Sequence, residues 1–172
     1  MKIGIISDTH DNLMSIKKAI GIFKKNNVEL ILHCGDWVSP FSVEFLAQNI
    51  EVPIKSVFGN NEGDIKRIIE RNARLKNPVE FSKGKIFELE KDGKKIAVYH
   101  GDDPLLLNAL IASHKYDAIF TGHTHSIRNE VIDGVLVVNP GTTCYACEGK
   151  IIDFASVAIY DSLKNSADII KY

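Results

Sequence analysis

The chain predicts a mixed α/β fold in which two mixed β-sheets pack face to face with helices outside them. Three observations predict it. Residues 2–58 alternate apolar runs with helical patterns in a βαβαβ order. Two Asp-Gly dipeptides, at 92–93 and 133–134, each sit between apolar runs. A 45% hydrophobic composition over 172 residues is ample for a substantial core in one domain spanning residues 1–172.

Each element follows from local pattern. Residues 2–7 read as a buried strand. Residues 11–25 read as a helix, because Leu13, Ile16, Ala19, Ile20 and Phe23 recur at helical spacing, Asp11 or Asn12 can cap the start, and Lys24 and Lys25 stand at the end that favours cations. Residues 30–32 make a second strand, residues 41–47 a second helix behind Pro40, and residues 54–58 a third strand. Such a βαβαβ segment implies parallel strands joined by right-handed crossovers. Beyond residue 79 the pattern changes to hairpins. Residues 86–89 and 96–99 flank Asp92-Gly93, and residues 127–132 and 135–138 flank Asp133-Gly134. A helix over 104–113 and a buried strand over 118–121 separate them, and residues 154–160 and 167–172 supply two last strands.

Charge and cysteine usage narrow the function. The 21 basic and 22 acidic side chains leave a formal charge of -1, so no global field attracts duplex nucleic acid or an anionic membrane. No stretch approaches the roughly 20 apolar residues of a membrane span, and the expected location is cytoplasmic. Three cysteines do not describe a secreted disulfide framework. Cys34 lies in an apolar run. Cys144 and Cys147 form a CxxC with loop residues on both sides, which reads as two small side chains lining a loop and not as a thioredoxin-type or four-sulfur zinc motif.

Five polar clusters stand at the ends of apolar runs: Asp8-Thr9-His10, Gly35-Asp36, Gly59-Asn60-Asn61, His100-Gly101 and Gly122-His123-Thr124-His125. Strand ends are where α/β proteins place chemistry. Alone, most of them have plain readings: Asp8 capping a turn beside a solvated His10, Gly35-Asp36 and Gly59-Asn60 as turns. If residues 8–10 are extended, Asp8 and His10 project to the same side. His123 and His125, following a strand and a glycine, are harder to explain structurally. Jointly, four of the six histidines stand just past strand-like runs, while His33 lies within one as a core or supporting residue beneath Asp36, and His114 falls at a helix end. Four imidazoles, two carboxylates and one amide exceed what one four-coordinate ion needs and suit two ions sharing a ligand.

The ordered set Asp8-x-His10, Gly35-Asp36, Gly59-Asn60, His100-Gly101, Gly122-His123-x-His125 resembles the calcineurin-like metallophosphoesterase family. With Asn139-Pro140-Gly141-Thr142 and the chain length, it is similar to the small single-domain YfcE-type phosphodiesterases of prokaryotes. The resemblance implies a four-layer αββα sandwich. It implies that Asp8, His10 and His125 hold one divalent transition-metal ion, that Asn60, His100 and His123 hold the other, and that Asp36 bridges them. Manganese is the first choice, with nickel, iron, cobalt or zinc as alternatives suited to such donors. It further implies a catalytic set of Asp36, Asn60, Asn61 and His123, a small phosphate ester as substrate, and in-line attack by a metal-bridging hydroxide. Two dications, less two carboxylates and a hydroxide, leave one positive charge, which a diester monoanion balances.

Two positions depart from the family pattern. Many members carry a histidine after the metal-binding Asn, where Asn61 stands here, and an amide cannot protonate a leaving group. Asp102 stands where the small subfamily often has histidine. Trp37 is placed either to stack on an aromatic leaving group or to pack on the second helix. A non-catalytic interaction scaffold resembling the retromer subunit is the alternative reading, and seven competent donors favour catalysis over it. Exposed strand edges at 154–160 or 169–172 are candidate contacts for a homodimer or higher homo-oligomer.

Overall fold

The computed structural model describes residues 1–147 and 150–172, with backbone alone at 146 and 147. Its first sheet has the order β13-β12-β1-β2-β3-β4, where β1 is Lys2–Ile6, β2 Leu30–His33, β3 Ile54–Ser56, β4 Glu80–Phe81, β12 Ser156–Asp161 and β13 Ser166–Lys171. Its second has the order β5-β6-β7-β9-β8, from β5 Ile86–Lys91, β6 Lys94–Tyr99, β7 Ala118–Phe120, β8 Arg128–Ile132 and β9 Val135–Asn139. A small ribbon pairs β10 (Ala146–Cys147) with β11 (Lys150–Ile151). The helices are α1 (Leu13–Lys25), α2 (Pro40–Asn49), α3 (Ile65–Asn72) and α4 (Pro104–Ala112).

Side-chain alternation builds the layers. In β1 and β2, Ile3, Ile5, Leu30 and Leu32 point between the sheets, while Ile6 and Ile31 point to α1 and α2. In β6 and β9, Ile96, Val98, Leu136 and Val138 meet the first sheet, and Ala97, Tyr99, Val135 and Val137 pack with Leu110 and Ile111 of α4. Both faces of the central strands are buried, which is why they read as unbroken apolar runs. The arrangement is the expected mixed α/β, αββα sandwich: α1 to α3, two mixed sheets, then α4.

β1, β2 and β3 are parallel, as the βαβαβ pattern requires, and so are β6, β7 and β9. The hairpins β5–β6 and β8–β9 turn at Asp92-Gly93 and Asp133-Gly134, with φ values of 51° and 75° and of 49° and 83°. Positive φ at both central residues is what a type I′ hairpin demands. Side-chain caps start the helices. Asn12 accepts from Ser15 N–H, Ser39 from Phe41 N–H, and Asp103 from the N–H groups of Leu105 and Leu106.

Three expectations change. α3 was not anticipated, although Ile65, Ile68 and Ile69 stand at helical spacing and Asp64 caps it by accepting from Arg67 N–H at 2.9 Å; it is the shortest of the four helices and buries only Ile68 and Asn72. Residues 154–160 do not form an edge, because β12 lies between β13 and β1, so β13 is the edge of that side. Trp37 is fully buried, stacks on His33 with ring centroids 3.5 Å apart and donates Nε1–H to Ser56 Oγ, so it belongs to the core and not to a leaving-group pocket.

Candidate metal centre

The parallel strands of both sheets deliver the five polar clusters to one edge of the sandwich. Asp8 follows β1, Asp36 β2, Asn60 β3, His100 β6 and His123 β7. The floor is buried, formed by Asp8, Asp36 and His100, whereas Asn60 and His123 are exposed at the rim and His10 and His125 are half-buried. All seven expected residues are brought together here.

Residues 8–10 are not extended. Asp8, His10, Asp36, His123 and His125 have φ of 53°, 41°, 61°, 67° and 57°, in the left-handed region. Asp and His visit that region more readily than most residues, and each such residue costs of order 1–3 kcal/mol unless its surroundings hold it. Here they do. Asp8 N–H donates to Gly35 O, and the N–H groups of Thr9 and His10 donate to Asp36 O at 3.0 and 3.2 Å. Asp8 in turn accepts His123 N–H at 3.1 Å on each carboxylate oxygen.

The donor atoms form two groups. In one, His10 Nε2 lies 3.2 Å from His125 Nε2, which is 3.4 Å from Asp8 Oδ1. In the other, Asn60 Oδ1 lies 2.9 Å from His100 Nε2 and 2.7 Å from His123 Nδ1. Asp36 touches both, with Oδ2 3.4 Å from His10 Nε2 and Oδ1 3.4 Å from His100 Nε2. An ion bonded at about 2.1 Å keeps neighbouring donors about 3.0 Å apart in an octahedron and about 3.4 Å apart in a tetrahedron. The observed spacings of 2.9–3.4 Å lie within this range, and Asn60 Oδ1 to His123 Nδ1, at 2.7 Å, is somewhat shorter. Among the described residues, Asp8, His10, Asp36 and His125 form a cluster able to hold a metal ion, and so do His10, His125 and Cys144.

The imidazole of His100 is oriented toward the two donor groups. Its Nδ1 lies 2.8 Å from the carbonyl oxygen of Cys34, which can only accept, so Nδ1 carries a proton, and in the neutral ring Nε2 offers a lone pair. That lone pair faces the lone pairs of Asn60 Oδ1 and Asp36 Oδ1, an arrangement that a cation between them relieves.

Supporting residues surround this set, and several were not legible as functional. His33 is buried, and its Nδ1 accepts Gly35 N–H, so Nε2–H donates to Thr9 Oγ1, which donates to Asp36 O. Burial, reinforced by the nearby imidazoles of His100 and His10, pushes His33 well below the ordinary histidine range, consistent with this neutral form. Asn139 Nδ2 holds Gly122 O at 2.7 Å, and Thr142 Oγ1 donates to Asp8 O at 3.0 Å, giving the Asn139-Pro140-Gly141-Thr142 segment a physical role. Glu62 accepts from four backbone N–H groups. In sequence it stood with Asp64, Asp102 and Asp103 as carboxylates that could surround the metal ligands and alter their charge; of these, Asp64 and Asp103 instead cap helices, and Asp102 pairs with Lys85.

Asn61 donates its backbone N–H to Asp36 Oδ1 and its amide Nδ2–H to Asp36 Oδ2. Cys144 Sγ lies 3.1 Å from Thr142 Oγ1 and 3.8 Å from His125 Nδ1, while the other half of the CxxC, the Cys147 side chain, lies outside the described residues. The same holds for Glu148 and Gly149.

Residues 1–162 match the family model described as the calcineurin-like phosphoesterase superfamily domain. The chain belongs to this superfamily. It is 37% identical over 166 residues to a phosphodiesterase of Methanocaldococcus jannaschii, covering 95% of each chain. A solved archaeal phosphodiesterase is similar at 36% identity with a TM-score of 0.89, over 100% of both chains. In fold alone it resembles the phosphoesterase YfcE of E. coli (16% identity, TM-score 0.67, 99% and 98% covered) and Vacuolar Protein Sorting 29 of Cryptosporidium parvum (19%, 0.65, 99% and 96%). The protein is thus a calcineurin-like phosphoesterase, an enzyme of a metal-dependent hydrolase family, with a metal-capable side-chain cluster at its strand ends. No described helix of this phosphoesterase is long and apolar enough to cross a membrane.

Proposed function

We propose that this phosphoesterase is a phosphodiesterase working with two divalent transition-metal ions. Asp8, His10 and His125 hold one, Asn60, His100 and His123 hold the other, and Asp36 spans both. The observation that carries the reading is the divided carboxylate of Asp36, whose Oδ2 faces His10 and whose Oδ1 faces His100, each at 3.4 Å. Manganese is the first choice, with nickel, iron, cobalt or zinc as alternatives. When bound, the ions supply a water of lowered pKa as nucleophile and neutralise charge on the phosphoryl oxygens.

The residues set what the site accepts. Buried Asp8, Asp36 and His100 close its floor, so a phosphate ester approaches from the rim, where Asn60 and His123 are exposed. Two carboxylates against two dications leave a small positive balance, suited to a diester monoanion. Asn61 has no proton to give an alkoxide and its amide is engaged with Asp36, which favours esters with good leaving groups. The near-neutral charge of -1 points to a small ester and away from duplex nucleic acid. A single domain, a cytoplasmic location and self-association through the β13 edge complete the reading. The full donor set favours it over an interaction scaffold of the same fold.

The test is hydrolysis of bis- and mono-nitrophenyl phosphate by metal-stripped protein, with Mn, Ni, Co, Zn or Mg added back. Metal-dependent diester cleavage, abolished by Asp36→Ala or His123→Ala, is expected. Binding of two ions without turnover of any phosphate ester would replace this reading with the scaffold.

A further inference from the structure

Glu62 lies outside both donor groups, yet among the described residues no other carboxylate near the site is so fully engaged. Its Oε1 accepts Asp36 N–H at 3.0 Å and Gly59 N–H at 2.9 Å; its Oε2 accepts Trp37 N–H at 3.0 Å and Val38 N–H at 2.9 Å. A carboxylate has about four lone-pair sites. All are used, and every partner is backbone.

Three of those partners are consecutive. Asp36 and Val38 have φ of 61° and 73° on either side of Trp37, which turns three successive N–H groups toward one point. Such a concavity is a backbone nest that binds anions. Here the anion is the chain's own side chain, and the fourth donor, Gly59 N–H, comes from the loop that carries Asn60. Glu62 therefore pins the Asp36 loop to the Asn60 loop, a closure that Gly63 N–H to Val38 O at 2.9 Å repeats.

We propose that Glu62 is a positioning residue: by filling this nest it holds the Asp36 carboxylate and the Asn60 amide at the separation their shared cation needs. The proposal rests on the metal assignment above for Asp36 and Asn60. The negative charge matters as well as the shape. In Glu62→Gln one of the two terminal atoms becomes an NH2 group that faces two N–H donors, so half of the nest meets donors with a donor. In Glu62→Ala the nest is vacated, and a small carboxylate from solution can enter it.

The experiment compares wild type, Glu62→Gln and Glu62→Ala. Mn binding is followed by calorimetry, amide hydrogen exchange is followed at residues 36–38 and 59 in the metal-free protein, and each is measured in sodium formate and in sodium chloride at matched ionic strength. Both variants are expected to bind Mn about 10–100-fold more weakly, the usual cost of losing a partner behind a metal ligand. Formate, and not chloride, restores Mn affinity and exchange protection to Glu62→Ala and does neither for Glu62→Gln, whose own amide blocks the nest. Wild-type affinity in Glu62→Gln, or a folded Glu62→Ala that formate leaves unchanged, overturns the proposal. If Glu62→Ala does not fold, the affinity of Glu62→Gln decides alone. Absence of diester turnover in the wild type would refute the phosphodiesterase reading and leave the binding and exchange results to judge Glu62.

Discussion

Asn61 grips both carboxylate oxygens of Asp36, its backbone N–H donating to Oδ1 at 2.8 Å and its side-chain amide to Oδ2 at 2.9 Å. The residue that stands where a proton donor is common in the family thus steadies the carboxylate that lies between the two donor groups. Asn61→Ala keeps the backbone bond and loses the side-chain one. A hydrogen bond to a charged group contributes about 1.5–3 kcal/mol, so diester turnover should fall at least about tenfold. Steady-state kinetics on an activated diester checks this. Because the lost group is not an acid, the pH profile should keep its shape.

Asn61→His asks the complementary question. An imidazole here can protonate a departing alkoxide, so the ratio of activity on poor to good leaving groups should rise, even though the amide contact to Asp36 is lost. An unchanged ratio across a series of phenyl and alkyl esters would show that leaving-group protonation does not limit this enzyme.

The two donor groups should be separable. His125→Ala removes a donor from the His10 side and His123→Ala one from the Asn60 side. Each variant should bind one Mn ion tightly where the wild type binds two, as read by calorimetry. Loss of both ions from either variant would mean one cooperative site.

Gly59 makes room for Asp36. A Cβ at Gly59 would fall 2.1 Å from Asp36 Oδ1, and one at Gly122 would fall 1.8 Å from Ser7 Oγ. Gly59→Ala should cost about 1–3 kcal/mol through overpacking and weaken Mn binding. Gly21→Ala is the control: it lies within α1 with nothing within 4 Å of the added carbon, and should stabilise by about 0.4–1 kcal/mol. Urea unfolding of the metal-free proteins measures both.

Acid should weaken the metal-free fold through His33. Burial holds its imidazole well below the ordinary range. Below about pH 6.5 the unfolded chain therefore binds a proton that the folded chain does not, so the stabilisation is full above that pH and lost as pH falls toward the folded value. His33→Gln should lose less stability than wild type between about pH 7.5 and about pH 5.5, as read by urea unfolding.

What could be read from the chain was the chemistry that is local. Apolar runs, Asp11 or Asn12 as a cap, and the two Asp-Gly turns depend on residues a few positions apart, so the parallel half and both hairpins were legible. α3 was missed although Ile65, Ile68 and Ile69 carry a helical spacing, because eight residues hold only about two turns of it. That Glu62 could stand around the ligands was legible, but how it acts was not: its partners are backbone groups, which every residue has.

By itself, then, the sequence determined the donor types, their order and their place after strands, which together point to a candidate metal centre and identify the family. The tertiary structure alone decided how they meet. His10 and His125, 115 positions apart, come within 3.2 Å because two sheets of defined register bring the ends of their parallel strands to one edge. It also decided the left-handed backbone at five positions of the candidate centre, where the sequence suggested an extended Asp8-x-His10, and the division of Asp36 between two groups of donors. Strained φ values and shared ligands persist only where distant parts of the chain hold them, and no local pattern of residues carries that information.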